Sequence, residues 1–101
     1  MNNHLETEEI KSLFERLQKV LEEHRGGNHV AGVRSAIRQL SNDGIPLHER
    51  ICGARSIFRT MMGGMGTLGD FVIWNENEAR RASLNHDLNE LLTELWERLE
   101  C

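Results

Sequence analysis

Residues 63–74 read Gly63-Gly64-Met65-Gly66-Thr67-Leu68-Gly69-Asp70-Phe71-Val72-Ile73-Trp74, and this stretch decides whether the chain is wholly helical. Its glycines break the helical pattern on either side, since each costs backbone entropy on ordering and marks a tight conformation or a close backbone approach. The four apolar residues at its end all favour extended structure, so a short strand competes with a short helix. No second strand is available to pair with it. Thr67 and Asp70 also stand at the spacing of a capping box, in which a hydroxyl and a carboxylate satisfy free backbone amides at a helix start. The resulting expectation is a short helix from Leu68 to Trp74, packed through Phe71, Val72 and Trp74 and separated from the next element by Asn75 and Asn77.

Outward from this corner the periodicity is plainly helical. Leu47, Ile51, Ala54, Phe58 and Met61 or Met62 recur at helical spacing up to Gly63, and Pro46 supplies a backbone angle suited to a first turn. On the other side a long helix from about Glu76 gathers Leu84, Leu88, Leu91, Leu92, Leu95 and Leu99 on one face. Val30, Val33, Ile37 and Leu40 form a narrower stripe between a cap at Asn28 and a stop at Asn42-Asp43-Gly44. The first helix is capped by Thr7, carries Glu8 and Glu9 in its first turn, buries Ile10, Leu13, Phe14, Leu17, Val20 and Leu21, and stops at Gly26-Gly27. The fold class expected is all-α: four main helices plus one short helix after the glycine corner, in an antiparallel bundle. With 101 residues this is a single domain, 1–101, with one modest core.

The 12 basic and 16 acidic side chains leave a net charge of -4, which argues against a general nucleic-acid binder, whose affinity rests on neutralising phosphates. A protein partner is the better expectation. No run is long and apolar enough for a membrane span and no leader pattern opens the chain, so a cytoplasmic location is expected. Cys52 falls inside a helical pattern and Cys101 is the last residue, which fits reduced thiols better than a disulfide.

No residue set demands chemistry. The glycine corner precedes a helix start as phosphate loops do, yet it lacks their lysine and leading strand and places Asp70 where phosphate would sit. It reads either as a tight corner between helix ends or as bare backbone on which a partner docks at Gly64 and Met65. Among the five histidines, His24 and His29 flank a turn and His48 precedes Glu49, neither being a recognised metal-ligand arrangement. Nucleophilic catalysis would need Cys52, Ser56 or Ser83 beside a base, and the sequence places no such pair. No catalytic activity, cofactor or metal is expected.

Charge distribution is more informative. Residues 1–25 carry four basic and six acidic groups, 26–61 five and two, and 62–101 three and eight. Asp87, Glu90, Glu94 and Glu97 line up at spacings of three and four on the last helix, with Arg98 alone placed to offset them. Such a row is either a solvated face or an attractive surface for a basic partner, and both readings stay open. Arg34 and Arg38 on one helix, with Arg55 and Arg59 on the next, form a candidate basic patch that would meet the acidic row within one molecule or across a homodimer.

The run Gly63 to Ile73 resembles the signature of a family of small bacterial helical domains of unknown function. That signature reads roughly Gly-Gly-Met-Gly-Ser, an apolar residue, Asn-Asp and an apolar pair. Gly69 stands where the pattern has Asn, and Met62 where an aromatic residue is common, while Thr67 and Asp70 keep the capping chemistry. Some such proteins look like immunity proteins encoded beside bacterial toxins. The resemblance implies a protein that occludes a cognate toxin, with Asp87, Glu90, Glu94 and Glu97 in a basic cleft and the glycine corner as a second contact. The alternative is a homo-oligomeric structural or adaptor bundle whose last helix packs on a copy of itself.

Overall fold

The computed structural model describes residues 3–63 and 66–101. Each of the four periodic stretches forms a helix: α1 over Asn3–Glu23, α2 over Val30–Leu40, α3 over Leu47–Met62 and α4 over Glu78–Arg98. Two single 3-10 turns, Gly27–His29 and Leu68–Asp70, complete the regular structure, and no strand occurs among the described residues. The chain is an all-helical bundle. Among the described residues no helix is long and apolar enough to cross a membrane.

The core forms where the apolar stripes meet. Ile10, Phe14, Leu17 and Leu21 of α1 are fully buried against Val33, Ala36 and Leu40 of α2, Ala54 and Phe58 of α3, and Leu95 of α4. Phe58 stands at the centre, its ring 5.9 Å from that of Phe14 and 5.2 Å from that of Trp96, both edge to face. That is the arrangement favoured by the negative faces and positive edges of aromatic rings. Three helices are thereby keyed together by one side chain.

The helix ends depart from the sequence expectations in instructive ways. Thr7 does not cap α1: the helix begins at Asn3 and encloses Thr7, which is 2% exposed. Its position three residues before Ile10 and seven before Phe14 puts it on the buried stripe. Asn28 does not cap α2 either; it lies in the first 3-10 turn, and His29 takes the cap position. The end of α1 is a Schellman turn, in which the Gly26 N–H donates to the Leu21 carbonyl at 2.7 Å. Its left-handed residue is Arg25, at φ 65°, rather than either glycine.

The short helix expected over Leu68 to Trp74 is also corrected. Only the 3-10 turn Leu68–Asp70 forms, closed by the Phe71 N–H on the Leu68 carbonyl at 3.1 Å, and the chain then leaves with Phe71 extended. Residues 71–75 have no regular structure. β-branched Val72 and Ile73 resist helix, and the hydrogen bonds a strand partner would supply come from a side chain, Asn85 on α4. Its Oδ1 accepts from the Ile73 N–H at 2.8 Å, while its Nδ2 donates to the carbonyls of Ile73 at 2.9 Å and Arg81 at 2.8 Å.

The reduced thiols expected from the sequence are likewise overturned. Cys52 in α3 and Cys101 form a disulfide across 49 residues, with Cα atoms 5.1 Å apart. Leu99 is fully buried and its carbonyl accepts from Arg55 Nη1 at 2.7 Å, so the end of α4 is brought to α3 before the sulfurs are considered.

Candidate functional site

The outer face of α4 follows from the same periodicity that builds its inner face. Burying Leu88, Leu91, Leu92 and Leu95 turns Asp87, Glu90, Glu94 and Glu97 outward, and all four are exposed. Glu90 Oε1 lies 3.1 Å from Nε2 of His86 one turn earlier. Arg98, the cation spaced to offset Glu94, instead pairs with Glu9 at the far end of the sequence, on α1. Asp87, Glu94 and Glu97 therefore have no ion-pair partner among the described residues. An open depression of about 600 Å³ runs along this face, lined by His86, Asn89, Glu90, Thr93, Glu94 and Glu97, with Arg98 at its end.

No ion pair joins Arg34, Arg38, Arg55 or Arg59 to this row among the described residues, although Arg55 and Glu97 line one shallow depression at the end of α4. Arg34 Nη2 approaches Glu22 of α1 at 3.9 Å, and Arg55 lies 4.9 Å over the Trp96 ring while capping the Leu99 carbonyl. Arg55 thus puts a cation at the carboxyl end of α4, where the helix dipole favours one. Arg59 and Arg55 line a small depression beside Cys52 and Cys101.

At the glycine corner, Gly64 and Met65 lie outside the described residues. Gly66 has φ +75°, a conformation that side-chain-bearing residues rarely adopt. Gly69 abuts the Met62 carbonyl oxygen so closely that a Cβ there would collide with it. These two requirements account for Gly66 and Gly69 in architectural terms, whereas Gly63, at φ -96° and with room for a Cβ, shows neither. Thr67 holds the extended cap conformation without a side-chain cap bond, and Asp70 Oδ2 accepts from the Gly66 N–H at 3.4 Å. The carboxylate half of the capping box is displaced by one residue.

A second exposed feature is the segment that Asn85 holds, where Phe71 packs on the core as expected but Val72 and Trp74, expected to pack with it, face outward because Ile73 takes the inward position. Ile73 is 1% exposed, while its neighbours Val72 and Trp74 are 68% and 73% exposed. Arg81 covers one face of the Trp74 ring, 4.5 Å from its centroid, and its Nη1 reaches the Asn75 carbonyl at 3.3 Å. A cleft of about 700 Å³ separates this segment from the end of α1, with Glu23, His24 and Arg25 on one wall and Phe71, Val72 and Trp74 on the other.

Among the described residues neither Ser56 nor Ser83 has a hydrogen bond to a base, and only Cys52 stands beside one. His48 Nε2 stands 3.5 Å from Cys52 Sγ, but that sulfur is in the disulfide. The i, i+4 spacing of His48 and Cys52 on a helix was the signal available in the sequence. Comparison with known protein families, characterised proteins and solved structures returns no match.

Proposed function

We propose that this chain is a non-catalytic protein-binding module whose α4 carboxylate face receives a basic protein surface, acting as an immunity-type protein that occludes a bacterial toxin. The observation that supports the binding face is the pairing of Arg98 with Glu9, which leaves Glu94, like Asp87 and Glu97, without an ion-pair partner among the described residues on one side of a helix whose other side is locked in the core. Uncompensated like charges at helical spacing cost a few tenths of a kcal/mol each, roughly, in the isolated domain. A basic partner converts that cost into attraction and a faster encounter. Occlusion needs only a stable scaffold and an interface of standard size, roughly 800 Å² per partner. The toxin as partner rests on the resemblance of residues 63–73, and the acidic face supports only the sign of its charge.

The alternative of a self-associating bundle through the leucine row meets a difficulty, because Leu88, Leu91, Leu92, Leu95 and Leu99 are all buried within the protomer. A copy would have to use another surface. The test is affinity capture from the source cells at moderate salt, with the intact chain and a Glu90→Lys, Glu94→Lys chain as parallel baits. One dominant basic protein retained by the first and lost by the second is the expected result. Equal recovery by both baits would rule out the acidic face. Recovery of bait alone, with a concentration-dependent sedimentation coefficient, would favour self-association.

A further inference from the structure

We propose that reduction of the Cys52–Cys101 bridge turns it, together with His48, into a binding site for a thiophilic divalent cation such as Zn²⁺. His48 Nε2 and the two Sγ atoms all lie within 4.8 Å of one another. Around a tetrahedral zinc, with bonds of about 2.0–2.1 Å to nitrogen and about 2.3 Å to sulfur, neighbouring ligand atoms stand roughly 3.3–3.8 Å apart. Rotation of exposed side chains covers the difference, and His48 and Cys101 are both exposed.

The arrangement persists without the covalent bond because other contacts hold its parts. His48 and Cys52 share one face of α3, one turn apart. Cys101 follows Leu99 by two residues, and Leu99 is anchored by full burial and by the Arg55 hydrogen bond. The chemistry of the set selects the metal. One imidazole and two thiolates suit zinc and disfavour magnesium or calcium, which take oxygen ligands. Two thiolates cancel the charge of the cation, and the neighbouring guanidinium groups of Arg55 and Arg59 offset the thiolates before it arrives. Three protein ligands leave a fourth position for water or for a group from a partner.

The conversion balances with a dithiol as reductant. Its two sulfurs leave joined as a disulfide, its two protons pass to Cys52 and Cys101, and binding of the cation displaces those two protons to solvent. Either state ties the end of α4 to α3, covalently when oxidised and through the metal when reduced.

The experiment titrates the full chain, reduced with a phosphine and freed of reductant under inert gas, with Co²⁺ and then Zn²⁺. Expected are one Co²⁺ per chain, a thiolate-to-cobalt charge-transfer band, and its loss on adding Zn²⁺. The oxidised chain should show no band. His48→Ala should weaken Zn²⁺ at least about tenfold, since losing a ligand costs no less than losing a group that merely supports one. Should reduction loosen the fold, Zn²⁺ should still raise the Tm of the reduced chain and leave that of a Cys52→Ser, Cys101→Ser chain unmoved. A reduced chain without the band, a band indifferent to His48→Ala, one ion shared by two chains, or equal Tm shifts with and without the cysteines would each overturn the proposal.

Discussion

Two attachments fix α4 in the molecule, and they work in opposite ways. Near its start, the Asn85 amide serves as a one-residue strand, taking both backbone groups of Ile73 across only 12 residues of chain. Beyond its end, the Cys52–Cys101 bridge closes a separation of 49 residues. The first attachment satisfies polar groups in the native state that burial would otherwise leave unpaired. The second acts chiefly by removing freedom from the unfolded chain. A small helical domain can thus secure one helix by a local polar clamp and a distant covalent closure, each suited to the length of chain it spans.

Removing the distant closure should have the largest effect. For a loop of this length the chain-entropy account gives about 4 kcal/mol, and engineered losses often fall short of it. Cys52→Ser with Cys101→Ser should therefore lower stability by about 3–4 kcal/mol in urea titration, with a larger m-value because the freed unfolded chain exposes more surface. A loss under about 1 kcal/mol would mean that Leu99 and Arg55 already hold this end unaided. The local clamp should come next. Asn85→Ala strands the Ile73 N–H and C=O in a half-buried setting and should cost about 2–3 kcal/mol, with Ile73 amide protection against hydrogen exchange lost. Asn85→Asp keeps the acceptor but not the donor and should fall between. If the two attachments are independent, combining Asn85→Ala with the serine pair should add to within about 0.5 kcal/mol.

Neither attachment was legible in the sequence, although the helices they join were. The apolar spacing placed a helix from Leu47 to Met61 or Met62, and α3 runs from Leu47 to Met62. Such spacing is a local property, set by which side chains one helix must turn inward. Asn85 lies between Leu84 and Leu88 and looks like any polar residue at the edge of a leucine stripe. Its function depends on Ile73, which lies in a segment without regular structure where the capping-box spacing favours a helix. Arg98 shows the same limit, since local spacing pairs it with Glu94 whereas the fold brings Glu9 from 89 residues away. The acidic row itself was legible because exposure is the complement of a stripe already read. The cysteines carried no pairing signal beyond their number, and the His48 and Cys52 spacing gained meaning only when Cys101 arrived beside it.

Arg55 is where the covalent closure can be separated from its non-covalent support. Arg55→Met keeps most of the side-chain stem but loses the Leu99 carbonyl bond and the stacking on Trp96, and should cost about 1–2 kcal/mol. The disulfide holds the same end in place, so the loss should be greater in the serine-pair background than in the intact chain. Equal losses would show that Arg55 acts on α3 and Trp96 alone and does not help to seat Cys101.

The smallest effects fall at the turn after α1, and they test how firmly the local clamp presses. Gly26 has φ -95°, which alanine tolerates, yet a Cβ there would meet Leu21 and the Phe71 ring. Gly26→Ala should therefore cost about 1 kcal/mol by crowding rather than by backbone strain. Phe71 opens the segment that Asn85 holds, so the share of that cost due to the Phe71 ring should vanish in the Asn85→Ala background, where the segment can retreat, while the closer contact with Leu21 of α1 remains. Arg25 is the reverse case: its side chain is exposed and its φ of 65° is the strained feature. Arg25→Gly relieves a left-handed penalty of about 1 kcal/mol and adds some unfolded-state entropy, leaving a gain of about 0.5 kcal/mol. Because this gain comes from a single backbone angle, it should be the same whether or not Asn85 is present. A gain that shrinks when Asn85 is removed would show that the clamp, acting through Phe71 and Gly26, is what forces Arg25 into the left-handed region.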